Sequence, residues 1–335
     1  MSPSVTPDPH QDIPAAAERL AQGGLVAFPT ETVYGLGARA DDDDAVARIF
    51  VAKGRPSDHP LIVHVASVAA AHSFAAQIGP LAATLIQHCW PGPLTLIVPR
   101  LEGRGTAAAA GQMSIGLRMP AHPLALALLR AAAALGVAGV AAPSANRFGR
   151  ISPTAAAHVR EEFGPQLMVL DGGPCEVGIE STIIDCTRPH PVLLRPGQLD
   201  RRALEALLGQ PLQERDALSP RAPGTLEAHY APLAKLRLMP SAQLAQALAT
   251  PGEMPSGALA VYSRSALPPR PGLPGLPGGV LYRPMPTDSA QAARELFAAL
   301  RGFDAAGVTQ IWVETPPLSP EWEGVTDRLQ RAAAN

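Results

Sequence analysis

The sequence predicts an α/β protein of two domains. Three observations carry this reading. Short apolar, strand-like runs alternate with helical patterns from Gly24 to Gly209, and the same rhythm resumes after Leu233. Between the two stretches, Leu212–Leu233 has no periodicity and holds Pro220, Pro223, Gly224 and Pro232, which is linker chemistry. A length of 335 residues suits two domains of about 150 residues each. The expected division is residues 13–211, a linker over 212–233, and a smaller α/β domain over 234–335. Hydrophobic residues at 47% against 17% charged give both parts enough apolar surface to fold.

The elements follow in order. Gly24–Pro29 is an apolar strand. Asp44–Ala52 is a helix with an acidic first turn that suits the helix dipole. Leu61–Val65 is a strand, Leu81–Cys89 a helix, and Leu94–Val98 and Ser114–Arg118 are strands. Helix Pro123–Leu135 closes at Gly136, and strand Val137–Ala142 follows. Ser152-Pro153 reads as an N-cap with proline at the first helical position, opening a helix that Gly164 ends. Strands Leu167–Asp171, Ser181–Asp185 and Val192–Leu194 and helix Asp200–Leu208, closed by Gly209, complete the first domain. The second alternates Leu236–Met239, Ser241–Ala249, Ala258–Tyr262, Val280–Arg283, Ser289–Leu300, Gln310–Glu314 and a last helix from Ser319. Within it, Ser265–Gly279 is too dense in proline and glycine for a packed element and reads as a mobile loop.

Composition excludes several classes of function. With 27 Lys+Arg against 29 Asp+Glu, bulk charge does not coat nucleic acid. Cys89, Cys175 and Cys186 lack zinc or disulfide spacing and read as buried, reduced thiols. The N-terminus has no signal-peptide pattern, and the most apolar stretch, Leu124–Ala142, is broken by Arg130. A cytoplasmic protein without a membrane span is expected. There is no P-loop, dinucleotide fingerprint, zinc-protease or nucleophile-elbow motif. Asp41–Asp44 suits a helix N-terminus better than a calcium loop.

Several segments bring reactive groups together. Pro29–Gly37 (PTETVYGLG) places hydroxyls, a carboxylate and glycines after a buried strand, as a ligand loop or as a polar turn. Lys53 and Arg55 are two cations two residues apart, biased to an extended form by Pro56. Such a pair grips phosphate, or caps helix carbonyls. Lys53 stands out because Lys235 is the only other lysine. In Leu61–Val65, Ile62 and His64 share the face opposite Leu61, Val63 and Val65. His64 therefore faces a cavity or a core partner. Arg118 sits opposite Ile115 and Leu117, covering a rim or reaching into a cleft where a carboxylate would suit it. Ser144 and Asn146 can donate to phosphate or ribose oxygens. Ser152 serves as an N-cap, an anion site, or both. Glu180-Ser181-Thr182 and Arg195-Pro196-Gly197 are weaker signals of the same kind.

In this order the segments resemble the L-threonylcarbamoyladenylate synthase family in its long form. The match is carried by PTETVYGLG, KGRPSDHPLIVHV (Lys53–Val65), WPGPLTLIV (Trp90–Val98), GLRMP (Gly116–Pro120), PSANRFGRISPT (Pro143–Thr154), ESTIID (Glu180–Asp185) and LRPG (Leu194–Gly197). His229-Tyr230-Ala231-Pro232 resembles the long form's linker motif. The resemblance implies a YrdC-like mixed twisted sheet with an open concave cavity, joined by a long linker to a smaller Rossmann-like α/β domain. It implies that L-threonine, bicarbonate and ATP give threonylcarbamoyl-AMP and pyrophosphate, a nucleotidyl transfer. The product is then used by tRNA threonylcarbamoyl-transferase proteins to modify adenosine 37 of tRNAs reading codons that start with A. Mg²⁺ would arrive with ATP, no resident metal is implied, and weak tRNA binding is compatible with the fold. Carried over residue by residue, Thr32, His64, Arg118, the backbone at Ala142, and Ser181 or Thr182 would hold L-threonine. Lys53, Arg55, His59, Ser114, Ser144, Asn146, Ser152, Arg195 and Tyr230 would hold ATP, with Lys53 and Arg55 the catalytic cations. His59 stands where the family commonly has Asn before Pro-Leu. The linker around Tyr230 would act as a lid that keeps water from the carbamate.

Two other functions compete with this reading. A carbamoyl-transfer enzyme of the related hydrogenase-maturation type would carry acylphosphatase-like and cysteine-rich segments, which this chain does not show. A non-catalytic RNA-binding module would use clustered arginine on a concave surface, against which the net charge of −2 argues weakly.

Overall fold

A computed structural model describes residues 9–226, 228–250, 255, 257–265 and 280–334. The chain divides into two compact units. The first runs to residue 148 and resumes over 152–176 and 180–225; the second comprises 149–151, 177–179 and 226–335.

The first unit is built on one mixed sheet. Its strands are β1 (Val26–Phe28), β2 (Gly35–Arg39), β3 (Ile62–His64), β4 (Leu94–Pro99), β5 (Ser114–Arg118), β6 (Val140–Ala141), β7 (Met168–Val169), β8 (Thr182–Asp185), β9 (Val192–Arg195) and β10 (Gln213–Glu214). They lie in the order β10-β9-β8-β4-β5-β3-β6-β2-β1-β7. β3 runs parallel to β5, and β4 parallel to β8, while β5 and β4 are antiparallel. Period-two alternation sets the faces. Leu61, Val63, Val65, Leu94, Leu96, Val98, Ile115 and Leu117 join the main apolar core. The register then puts Ile62, His64, Thr95, Ile97, Gly116, Arg118, Ile183 and Arg195 on the opposite face.

Helices α1 (Ile13–Ala21), α2 (Asp43–Lys53), α3 (Val68–Ala71), α4 (Pro80–Cys89), α5 (Pro123–Ala134), α6 (Ala156–Phe163) and α7 (Arg201–Leu208) cover this sheet. α1, unassigned from sequence, buries Ile13, Ala16, Ala17 and Leu20 at helical spacing in a cluster with Leu124, Leu128 and Leu129 of α5. Asp42 caps α2, its Oδ1 accepting the Ala45 N–H at 3.0 Å, as the acidic run suggested. The three cysteines are free, Cys175 buried and Cys89 and Cys186 only half-buried.

Four sequence expectations need correction. Gly35–Arg39 is not merely loop but a strand paired with β1 and β6. Ser152 is not an N-cap: α6 begins at Ala156 after an extended Ala155. The Ser152 hydroxyl instead donates to Glu180, and the Pro153 carbonyl accepts the Tyr34 N–H at 2.9 Å, so the segment is held extended. Lys53 and Arg55 do not alternate along an extended segment. Lys53 ends α2, Gly54 turns left-handed at φ 63°, and the Arg55 N–H returns to the Phe50 carbonyl at 3.0 Å. The stretch 212–233 is not wholly irregular, since β10 adds a parallel strand beside β9.

The second unit holds β11 (Lys235–Met239), β12 (Leu259–Ser263), β13 (Val280–Pro284) and β14 (Gln310–Glu314) in the order β11-β14-β12-β13, all pairs parallel. Helices α8 (Ser241–Ala249), α9 (Ser289–Ala305) and α10 (Glu323–Ala333) accompany them. α9 runs one turn past the predicted Leu300, and a 3₁₀ turn at Pro320–Trp322 precedes α10. The proline-rich loop expected over Ser265–Gly279 lies, beyond Ser265, outside the described residues. Among the described residues no helix is long and apolar enough to cross a membrane.

Candidate functional site

The site face of the central sheet starts from a register pair. His64 of β3 lies directly beside Arg118 of β5, and both are buried. Arg118 is fixed on three sides. Its Nη2 lies 2.7 Å from Glu31 Oε1, its Nη1 donates to Thr32 Oγ1 at 2.9 Å, and its Nε donates to the Gly92 carbonyl at 3.2 Å. Glu31 also accepts the Ala121 N–H at 3.1 Å. The PTETVYGLG loop is thus tied to β5 by an ion pair that position alone did not reveal. A buried carboxylate needs such a partner.

His64 carries no charge at neutral pH. Burial, reinforced by the neighbouring Arg118 guanidinium, lowers its pKa to about 3. Its ring meets Phe28 edge-on, and its Nδ1 is buried with no hydrogen-bond partner.

The adjoining strand ends carry the remaining threonine candidates. The Thr182 N–H donates to the Pro93 carbonyl at 3.0 Å, next to the Gly92 carbonyl that holds Arg118. Thr182 Oγ1 is buried and unpartnered. Ser181 Oγ lies 2.8 Å from Thr95 Oγ1, and the Ser181 carbonyl accepts Arg195 Nε at 3.1 Å and Nη2 at 2.9 Å. Arg195 Nη1 reaches the Pro223 carbonyl at 2.9 Å. Gly197 packs so closely on this strand end that a Cβ there would lie 2.5 Å from the Thr182 nitrogen. Ala142 leaves β6 with its N–H on the Ile62 carbonyl at 2.9 Å.

The second group of candidates gathers on the segment that follows Ala142. Leu36 N–H donates to the Pro143 carbonyl at 2.8 Å, and Ala145 N–H to the Tyr34 carbonyl at 2.8 Å. Lys53 Nζ is buried and donates to the carbonyls of Ser144, at 2.6 Å, and Asn146. Burial and then the charge of Arg55 hold its pKa well below the usual lysine value, while Glu162 and Glu180 oppose that shift. Arg55 donates to the Pro60 carbonyl at 3.0 Å and sits 5.9 Å from the centre of the Phe148 ring. His59 meets the same ring at 5.4 Å, and burial lowers its pKa. Asn146 is buried and Ser144 partly so.

Contacts therefore run from Thr32 through Arg118 and Gly92-Pro93 to Thr182, Ser181 and Arg195, and from Ala142 to Ser144, Asn146 and Lys53. Ser114 lies on the same face of β5 as Arg118, at the strand's other end. Tyr230 belongs to the second unit. There it is buried at φ 60°, 5.4 Å from the Phe297 ring and 5.3 Å below the Arg328 guanidinium. Thr95 and Phe148 were not among the sequence candidates, while Glu31 and Glu180 stood only within their motifs, with no role assigned. Among the described residues no three His, Cys, Asp or Glu side chains converge to hold a metal.

Comparison with known proteins agrees with this architecture. The Sua5/YciO/YrdC family model, described as telomere recombination, matches residues 18–197. The model for the threonylcarbamoyl-AMP synthase C-terminal domain matches residues 199–334. The chain is 45% identical over 227 residues to a threonylcarbamoyl-AMP synthase of Pyrococcus abyssi, covering 66% of each chain. It is 44% identical to that of Bacillus subtilis, covering 70% of this chain and 67% of the relative. The Schizosaccharomyces pombe enzyme is 33% identical, with 92% and 85% covered. The crystal structure of P. abyssi Sua5 complexed with L-threonine superposes with a TM-score of 0.83 at 36% identity, covering 97% of this chain and 94% of that one. On these matches the chain belongs to the threonylcarbamoyl-AMP synthase family.

Proposed function

We propose that the chain makes threonylcarbamoyl-AMP and pyrophosphate from L-threonine, bicarbonate and ATP. Bicarbonate takes up a proton and gives carbon dioxide and water, the threonine amine adds to the carbon dioxide and releases a proton to form a carbamate, a carbamate oxygen attacks the α-phosphorus, and pyrophosphate leaves. No protein nucleophile is needed, so the residues act by positioning and by neutralising charge.

One observation carries the threonine half. His64 Nδ1 is a buried polar atom without a partner, on the sheet face that carries the fixed Arg118. Leaving such an atom unpaired costs about 1–3 kcal/mol, so it is a contact a small polar ligand would complete. Thr32, Ser181 and the Ala142 backbone border the same space in this reading. The neutral His64 orients the ligand by a hydrogen bond rather than by charge.

For ATP, Lys53 and Arg55 neutralise phosphate charge, and Ser144, Asn146, Ser152, His59, Ser114 and Arg195 donate around it. Tyr230 is assigned to ATP, and its linker to a lid, on the resemblance. Mg²⁺ travels with the triphosphate as part of the substrate. The product passes to tRNA threonylcarbamoyl-transferase proteins in the cytoplasm. Family membership favours this reading over carbamoyl transfer or a non-catalytic RNA-binding module.

The test is pyrophosphate release from ATP that requires both threonine and bicarbonate, and that is lost in Lys53→Ala and Arg55→Ala. Release independent of threonine would overturn the reading. So would salt-sensitive tRNA binding without any release.

A further inference from the structure

The first unit contains a cavity that the proposed reaction does not use. It has a volume of about 400 Å³ and lies among α1, the turn that follows it, α2 and the segment around α6. That size is in the range of small-molecule sites, roughly 300–1,000 Å³. Its apolar lining comes from Leu36, Leu167 and the Phe163 ring. Its charged lining is three guanidiniums, Arg19, Arg48 and Arg147.

The three arginines are tethered but not neutralised. Arg19 Nε donates to the Leu25 carbonyl at 2.9 Å, and Arg48 Nη1 to the Gly23 carbonyl at 2.7 Å. Arg147 donates to the Ala52 carbonyl and stacks 5.2 Å from the Phe163 ring centre. Among the described residues none of the three forms an ion pair with a carboxylate. The nearest recorded acid contact is Glu162, which accepts the Arg147 backbone N–H at 3.2 Å. Each guanidinium has five donors, and the tethers of Arg19 and Arg48 use one each. Tethered forks around an apolar floor suit a ligand that pairs a phosphate with a flat hydrophobic group.

We infer that this cavity is a second anion site, separate from the threonine and ATP residues, that takes a nucleotide phosphate with the base against Phe163. The nucleotide could be free or part of an RNA strand, and the two are separated by experiment. Arg147 neighbours Asn146, so the variant leaves it intact. Arg19→Gln and Arg48→Gln are combined, both positions being exposed.

In the first arm, AMP is titrated into Lys53→Ala/Arg55→Ala protein with and without the two further changes, and affinity falls at least tenfold with them. In the second arm, a twelve-nucleotide single-stranded RNA is titrated into wild-type and Arg19→Gln/Arg48→Gln protein across salt concentrations. The log–log salt slope then drops by about 1.4, two phosphate contacts at about 0.7 each. Loss in the first arm only identifies a free nucleotide, in the second only an RNA strand, and in both a site open to either. Unchanged binding in both arms overturns the proposal. Arg19→Lys/Arg48→Lys keeps the charge but loses the fork, so the salt slope is retained while AMP affinity falls less than in the glutamine variant. A lysine variant that loses the salt slope as fully as the glutamine one, with an unchanged melting temperature, would count against the site.

Discussion

Replacing Arg118 by lysine separates what this residue does for the fold from what it does for threonine. The guanidinium holds three groups at once: Glu31 at 2.7 Å, Thr32 at 2.9 Å and Gly92 at 3.2 Å. Removing the charge with Arg118→Ala would strand a buried Glu31, at a cost of about 3–5 kcal/mol, and would be read as unfolding. Arg118→Lys keeps a cation beside Glu31 but loses the planar fork. One charge-assisted contact toward the ligand is then lost, worth about 1.5–3 kcal/mol. At 1.4 kcal/mol per decade this is roughly a ten- to hundred-fold rise in KM for threonine. The assay is pyrophosphate release against threonine concentration at saturating ATP and bicarbonate. KM for ATP should stay within about threefold, because the Lys53 group is held by other contacts. An unchanged KM for threonine in a folded Arg118→Lys protein would refute the reasoning.

Three further outcomes are expected. His64 has its pKa lowered from 6.5 to about 3, so the unfolded chain takes up its proton first as pH falls. Its contribution is complete above pH 6.5 and is lost as pH drops toward 3, with a slope of about 1.4 kcal/mol per pH unit. Denaturant titrations from pH 7 to 4 should show a shallower loss of stability in His64→Gln than in wild type; equal slopes would contradict the assignment. Lys53 is held below its usual pKa by burial, and a bound triphosphate should restore its proton. Calorimetry of ATP binding in buffers of different ionisation enthalpy should show proton uptake that grows with pH and disappears in Lys53→Met. Gly197→Ala would force a Cβ to within 2.5 Å of the Thr182 nitrogen. Overpacking of this kind costs about 1–3 kcal/mol, so thermal stability and threonine affinity should fall together.

What could be read in advance was whatever local pattern decides. The alternation in Leu61–Val65 and Ser114–Arg118 set His64 and Arg118 on one face, because a strand has no other way to turn its side chains. What could not be read depends on partners far along the chain. Glu31 meets Arg118 across 87 positions, and Ser152 meets Glu180 across 28, so neither side chain's role follows from its neighbours. The Ser-Pro pair imitates a helix start, yet its hydroxyl and carbonyl are engaged elsewhere. Between Lys53 and Arg55, the proline bias toward extension is overridden by a left-handed glycine closing α2. The second unit likewise draws in residues 149–151 and 177–179 from within the first, which no composition shift marks.

The central claim is that the buried, unpartnered His64 Nδ1 and the fixed Arg118 beside it form the cradle for threonine. A crystal structure of the protein soaked with L-threonine tests it. The account predicts the amino acid within about 3.2 Å of both His64 Nδ1 and the Arg118 guanidinium. Threonine bound elsewhere, with His64 Nδ1 still unpaired, would contradict it.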